Sequence, residues 1–148
     1  MSPNTRRTEP ELPPIHVRGD EMRRLRTLAN SSMDVFPRVA TFLMRELDRA
    51  SVMQDDSDLP SVVRMGSQVS YRDEKTDEVR DLVLVYPHEA DISHRRISVL
   101  TPVGAALIGM SVGQAIEFQT PGHVTRKLTV LRVSPREEKV HHHARKSV

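Results

Sequence analysis

The 148-residue chain contains no cysteine and no tryptophan. Without thiols there is no Cys nucleophile, no Cys-ligated zinc, no iron–sulfur cluster and no disulfide. Aromatic side chains are nearly as scarce: Phe36, Phe42, Tyr71, Tyr86 and Phe118 are the full set. A platform for single-stranded nucleic acid needs several exposed rings on which bases stack, and most of these few are expected to pack a core. No apolar run approaches the ~20 residues of a membrane-spanning helix. The N-terminus also lacks the apolar stretch of a secretory signal, so a cytoplasmic protein is expected. What is present, 37% hydrophobic and 28% charged residues, is the composition of a folded domain with extended margins. Its length can bury a core without staples.

Twenty-two Lys+Arg stand against 20 Asp+Glu, a formal net charge of +2. Residues 1–30 carry six basic and four acidic groups, and residues 31–61 carry three and six. Residues 62–135 carry nine and eight, and residues 136–148 carry four and two. The basic excess therefore sits mostly at the ends, over a nearly neutral body. A duplex-binding protein concentrates its basic charge, because neutralised phosphates supply most of its affinity. A protein partner fits this distribution better, with no specific nucleic-acid sequence expected.

Four of the ten prolines lie within residues 1–14, which predicts a disordered arm over residues 1–19. Met22, Leu25 and Leu28/Ala29 then recur at helical spacing. After the polar break Asn30-Ser31-Ser32, a second stripe runs Phe36, Val39/Ala40, Leu43, Leu47, Ala50. Asp34 is expected to cap that second helix, with Pro37 in its first turn, where a missing N–H costs little. The two stripes predict a short helical hairpin over residues 20–54, either folded on the main core or protruding as a small coiled coil. The acidic, Pro-terminated segment 55–61 reads as a linker.

Beyond it the apolar period changes to two. Val69 and Tyr71 alternate with polar residues, and Leu82-Val83-Leu84-Val85 suits a strand covered on both faces. Ile97–Leu100 predicts a short strand, Ile116 and Phe118 another. Leu128 and Val130 alternate before Leu131 and Val133 take over, a parity switch that predicts a bulge in the last strand. Asp73–Glu78 and Pro121-Gly122 read as turns. Between strands, Thr101 is expected to cap a short helix that Pro102 opens and Gly109 ends. The fold class is α+β: a helical hairpin, then an antiparallel sheet wrapped around one short helix over residues 62–135, with a charged tail at 136–148.

Sites of catalysis are weakly represented. His88-Glu89-Ala90-Asp91-Ile92-Ser93-His94 holds zinc-type ligands, but their spacing matches no familiar helical pair and a solvated loop is expected. His141-His142-His143 could chelate a metal, but an unstructured tail lacks the outer hydrogen bonds that orient ligands. Gly104 and Gly109 frame helix-forming residues and no lysine follows, which rules out a phosphate loop. No nucleophile–base–acid set is spaced for convergence, and an enzyme is not expected.

The stretch from Ile97 to Gly113, with its strand, Thr-Pro-Val-Gly, short helix and Val-Gly turn, resembles the carboxy-terminal domain of the GreA/GreB transcript-cleavage factors. Glu46-Leu47-Asp48-Arg49-Ala50 and Leu84-Val85-Tyr86-Pro87 narrow the likeness to the Rnk branch of that family, the regulators of nucleoside diphosphate kinase. The resemblance covers about residues 20–135. It implies an FKBP-like sheet domain that binds RNA polymerase at the rim of the secondary channel. The expected contacts are Thr101, Pro102, Val103 and Gly104, flanked by Ser98 and Leu100. Gre factors carry acidic residues at the tip of a long coiled coil, where they help hold a catalytic magnesium ion. Here the hairpin is short and its turn holds one acid, Asp34, a poor Mg²⁺ site alone. Docking without stimulated cleavage, and no cofactor, is the expectation. Prolyl isomerase activity, which the FKBP-like fold raises, needs an aromatic-lined pocket that five scattered rings do not readily build. A role through nucleoside diphosphate kinase and an active cleavage cofactor are the rival readings.

Overall fold

Helix α1 (Gly19–Ser31) and helix α2 (Pro37–Arg49) arise where the two apolar stripes lie, in a computed structural model that describes residues 12–53 and 61–134. Met22, Leu25 and Ala29 on α1 and Ala40, Leu43 and Leu47 on α2 are the faces that bury. Pro37 occupies the first position of α2, as expected, but the preceding cap is Phe36, with no side-chain hydrogen bond. Asp34 therefore does not cap the helix. Residues 32–36 form a turn of their own, in which Ser32 O accepts from Phe36 N–H at 2.8 Å. Phe36, expected in the apolar stripe, is displaced onto that turn and is 51% exposed.

The hairpin is rooted in the main core and is not a free projection. Leu25, Leu43 and Leu47 share one cluster with Val63, Met65, Leu107, Ile108 and Met110. The chain before α1 contributes as well. Strand β1 (His16–Arg18) pairs in parallel with β2 (Ser51–Met53), matching His16 with Ser51 and Arg18 with Met53. Ile15 and Val17 are buried, and His16 N–H donates to Gly109 O at 3.1 Å. A disordered arm reaching residue 19 is thus incorrect for residues 15–19, because their apolar side chains fill the base of the hairpin. The rest of that arm up to residue 11, the acidic linker from 55 to 60 and the tail from 136 lie outside the described residues.

The main sheet has five strands in the order β5-β4-β3-β7-β6: β3 (Gln68–Asp73), β4 (Glu78–Val85), β5 (Arg96–Ser98), β6 (Ala115–Thr120) and β7 (Val124–Ser134). Three pairings are antiparallel, but β4 and β5 run parallel, with Leu84 opposite Ile97. The purely antiparallel expectation fails at this edge. Two short 3-10 turns, Pro87–Glu89 and Ile92–His94, carry the chain back only as far as Val83, so β5 runs beside the last three residues of β4 in the same sense. The expected bulge is present: β7 steps from Arg132 to Val130 against the consecutive Ser70 and Tyr71, leaving Leu131 as the extra residue. Helix α3 (Pro102–Leu107) packs its buried Gly104–Leu107 face against the sheet.

One polar cluster locks the end of the sheet. Asp73, 7% exposed, ends β3 and accepts from Lys75 N–H at 2.9 Å and from the Arg126 guanidinium of β7. Burial pushes its carboxyl up, but the Lys75 amide, Arg126 and the Thr76 amide together outweigh this and hold it below its ordinary value of 3.8. A depressed carboxylate stabilises the fold above its unfolded value and loses that contribution as pH falls through the folded one. Wild type is therefore expected to melt above Asp73→Asn at pH 7 and pH 5, with the gap closing below about pH 4. Calorimetry at pH 7, 5 and 3 measures it.

Candidate functional site

The corner between β5 and α3 gathers the six residues singled out from the sequence. Ser98 ends β5 opposite Val85. Its hydroxyl accepts from Leu100 N–H at 2.9 Å, and its carbonyl accepts from the Thr101 hydroxyl at 2.8 Å. Thr101 is the cap of α3, its oxygen accepting from Gly104 N–H at 3.1 Å, and Pro102 follows at the first helical position. Val99 N–H returns to Val85 O at 2.9 Å. The bonds among Ser98, Leu100, Thr101 and Gly104 are local and follow from a Ser-x-x-Thr-Pro sequence, whereas the Val99–Val85 bond joins the corner to β4.

Ser98, Leu100, Thr101, Pro102 and Val103 are half-buried, each with part of its surface reaching solvent. Leu100 and Val103 also lean on the core cluster, which fixes their direction. Gly104 is buried: a methyl there would overlap the Ser98 carbonyl oxygen and lie 2.9 Å from Val99 Cα. Its part is to let α3 approach β5, and only the other five reach the surface. The helix start offers fewer free amides than its sequence suggests, since Pro102 has none and Gly104 N–H is already bonded to Thr101. What this corner can present is a rigid, mostly apolar ridge bearing the Pro102 ring and the Val103 side chain.

At the other end lies the hairpin tip. Each helix has 13 residues, about 20 Å of rise. Asp34 is exposed on the turn between Met33 and Val35, and Val35 is 69% exposed. Asp34 is thus the one carboxylate of residues 30–36, flanked by apolar side chains.

Between tip and corner, Arg24 of α1 sits over the Tyr86 ring, 4.4 Å from guanidinium carbon to centroid, and Tyr86 stacks with His88 at 6.4 Å. This cation–π contact ties the hairpin to the end of β4. Sequence reasoning missed it. The only available signal was an arginine on a helix and a tyrosine before a proline, far apart in the chain.

The His88–His94 segment is an exposed loop. Asp91 accepts from the Ser93 hydroxyl at 2.6 Å and lies 2.8 Å from His94 Nδ1. The Ser93 bond first and His94 second hold its carboxyl down to about 2. These contacts shape a 3-10 turn, and among the described residues no three His, Asp or Glu groups gather as a metal site. His141–His143 lie outside the described residues. Two shallow clefts of about 480 and 510 Å³ flank β4, and the second contains one aromatic ring, Tyr71.

Comparison with known proteins places this geometry. Residues 57–135 match the model of the GreA/GreB transcription elongation factor C-terminal domain, and residues 13–53 match that of the Rnk N-terminus. The regulator of nucleoside diphosphate kinase from Escherichia coli K12 is 40% identical over 100 residues, covering 68% of this chain and 74% of that one. Transcription elongation factor GreA of Rhodospirillum rubrum is 43% identical over 74 residues, half of this chain and 47% of GreA. A solved GreA/GreB factor from Nitrosomonas europaea superposes with a TM-score of 0.65 at 36% identity, over 83% of this chain and 99% of that one. The β5–α3 corner lies inside the matched domain, and the short hairpin coincides with the Rnk-type segment. The chain belongs to the GreA/GreB transcription elongation factor family, in its Rnk branch.

Proposed function

We propose that the protein is a non-catalytic transcription regulator that docks on RNA polymerase at the rim of the secondary channel. The sheet domain supplies the docking ridge, Ser98, Leu100, Thr101, Pro102 and Val103, with Gly104 behind it to set the helix. The hairpin enters the channel mouth and excludes Gre factors without stimulating transcript cleavage. The observation that carries this reading is the hairpin itself: two 13-residue helices, anchored in the core, with a single carboxylate at the turn. Magnesium needs more than one anionic ligand from protein or substrate, so Asp34 alone does not equip the tip for cleavage. Short reach and a lone acid support occupancy without chemistry.

The ridge has a direct test. Pro102→Ala removes the ring and Val103→Asp places a charge where an apolar contact is needed. Each is expected to weaken retention of the protein on core polymerase by at least about tenfold with the circular dichroism spectrum kept; because Val103 also leans on the core, its variant is compared well below its own melting temperature. Full retention of both variants would remove the ridge from the interface. A second reading, regulation of nucleoside diphosphate kinase through a protein contact, draws on the printed name of the E. coli relative. Co-purification with the kinase and not with polymerase would favour it.

A further inference from the structure

Val35, Phe36 and Pro37 follow one another at the apex of the hairpin, and all three are exposed, Val35 at 69% and Phe36 at 51%. Elsewhere among the described residues, exposed large hydrophobic side chains stand singly in the sequence, and none of those lies on α1 or α2. Of the chain's five aromatic residues, Phe36 alone is exposed. A run of three apolar residues facing water stabilises nothing unless a partner covers it. The turn also prevents their collapse. Ser32 is buried, and its carbonyl accepts from Val35 N–H at 3.2 Å and from Phe36 N–H at 2.8 Å. Phe36 O accepts from Ala40 N–H at 2.9 Å, and Met33 Sδ takes the Thr41 hydroxyl at 3.5 Å. The apex backbone is thus fixed on both sides, so presenting Val35 and Phe36 to a partner requires little further ordering.

We propose that the apex is an apolar anchor: Val35 and Phe36 seat in an apolar hollow in the channel wall of RNA polymerase. The anchor rests on the docking reading above and adds an attractive contact where that reading needs only a plug. Charge selects the occupant. Residues 30–37 hold no lysine or arginine and one acid, Asp34, and Arg38 beyond them leaves the apex neutral. Transcript RNA would need an excess of cations to neutralise its phosphates. An anionic bilayer would need a basic cluster beside the inserted ring. A second copy, meeting tip to tip about a two-fold axis, would set Asp34 against Asp34 and bury only a few side chains, short of a stable dimer. A protein hollow asks for neither cations nor area, because one aromatic side chain in a desolvated pocket can carry much of an interface's energy. The hairpin shares one core cluster with the sheet domain, so a partner that holds the ridge also fixes where the apex goes. Val35 and Phe36 are the exposed large hydrophobic side chains that the two-helix hairpin can offer it.

The affinity of the full chain for core RNA polymerase, measured by titration with a fluorescent label, tests this. Phe36→Ser is expected to weaken binding about tenfold or more, and Phe36→Leu, which keeps an apolar side chain, by no more than about threefold. Phe36 also occupies the cap position of α2, where its side chain makes no hydrogen bond. Serine is a favoured residue at that position. Phe36→Ser should therefore melt at or above the wild-type temperature while binding less, a combination that a merely structural role would not produce. Phe36→Ser binding as tightly as wild type, beside a weakened Pro102→Ala, would overturn the anchor and leave the docking reading standing. A wild-type chain that fails to bind polymerase would overturn both. A Phe36→Ser loss seen only on a single-stranded RNA oligonucleotide or on phosphatidylglycerol vesicles, with polymerase affinity intact, would give the apex to that partner and overturn the inference.

Discussion

Gly104→Ala should destabilise the protein by about 3 kcal/mol or more, lowering the melting temperature by roughly 10 °C. The added methyl has no free volume, because the Ser98 carbonyl oxygen occupies it and Val99 Cα is 2.9 Å away. Both obstacles are backbone, so the strain cannot be relieved by rotating a side chain. Helix α3 would have to lift from β5, opening Ala105, Ala106 and Leu107, each 0% exposed. The same shift would tilt Pro102 and Val103 away from Ser98. A loss of polymerase retention in Gly104→Ala is therefore expected together with the fall in stability, whereas Pro102→Ala loses retention alone. Differential scanning fluorimetry and retention on polymerase separate the two cases. A variant as stable as wild type would show that the helix does not need so close an approach.

Glu46→Ala is expected to cost about 2–3 kcal/mol and to loosen the N-terminal strand ahead of the helices. Glu46 is 3% exposed although it lies on a helix otherwise rich in surface charge. It pairs with Arg49 at 2.6 Å, and Arg49 also donates to the Pro13 carbonyl. Removing the carboxylate leaves Arg49, 23% exposed, partly desolvated and without its anion. Partial exposure of the arginine places the cost below that of a fully buried pair. Because Arg49 holds residue 13, the amides of His16 and Ser51 should exchange faster with solvent than in wild type. Those amides bond to Gly109 O at 3.1 Å and Ile15 O at 2.9 Å. Hydrogen exchange that is unchanged at both would separate Glu46 from the anchoring of β1.

The features legible in the sequence are those built from neighbouring residues. Thr101, Pro102 and Gly109 announce α3 because capping and helix termination act within a few positions. Gly109 has φ of +83°, the left-handed conformation its position after the helix requires. The bulge at Leu131 is legible because side chains alternate strictly along a strand and one extra residue reverses the parity. The ridge residues were singled out through the family resemblance, and their part in docking is a proposal; the local pattern marks only the helix cap that they surround. Pairings between distant residues were not legible. Strands β1 and β2 have three residues each, too few for a period, and meet across 35 positions, as His16 and Ser51 show. The parallel sense of β5 depends on two 3-10 turns that no periodicity marks. Burial of Glu46 depends on Pro13 coming back to Arg49, and the Arg24–Tyr86 stack on the angle at which the hairpin meets the sheet. Asp34 lost the cap because Ser32 O bonds Phe36 N–H and delays the helix to Pro37.

The most direct measurement adds the protein to a stalled elongation complex with Mg²⁺, alone and together with a Gre factor, and follows the length of the RNA. Alone, it should leave the transcript uncut, and with a Gre factor it should suppress cleavage in proportion to its concentration. Rapid shortening of the RNA by this protein alone would contradict the account, as would Gre-stimulated cleavage that persists undiminished at saturation.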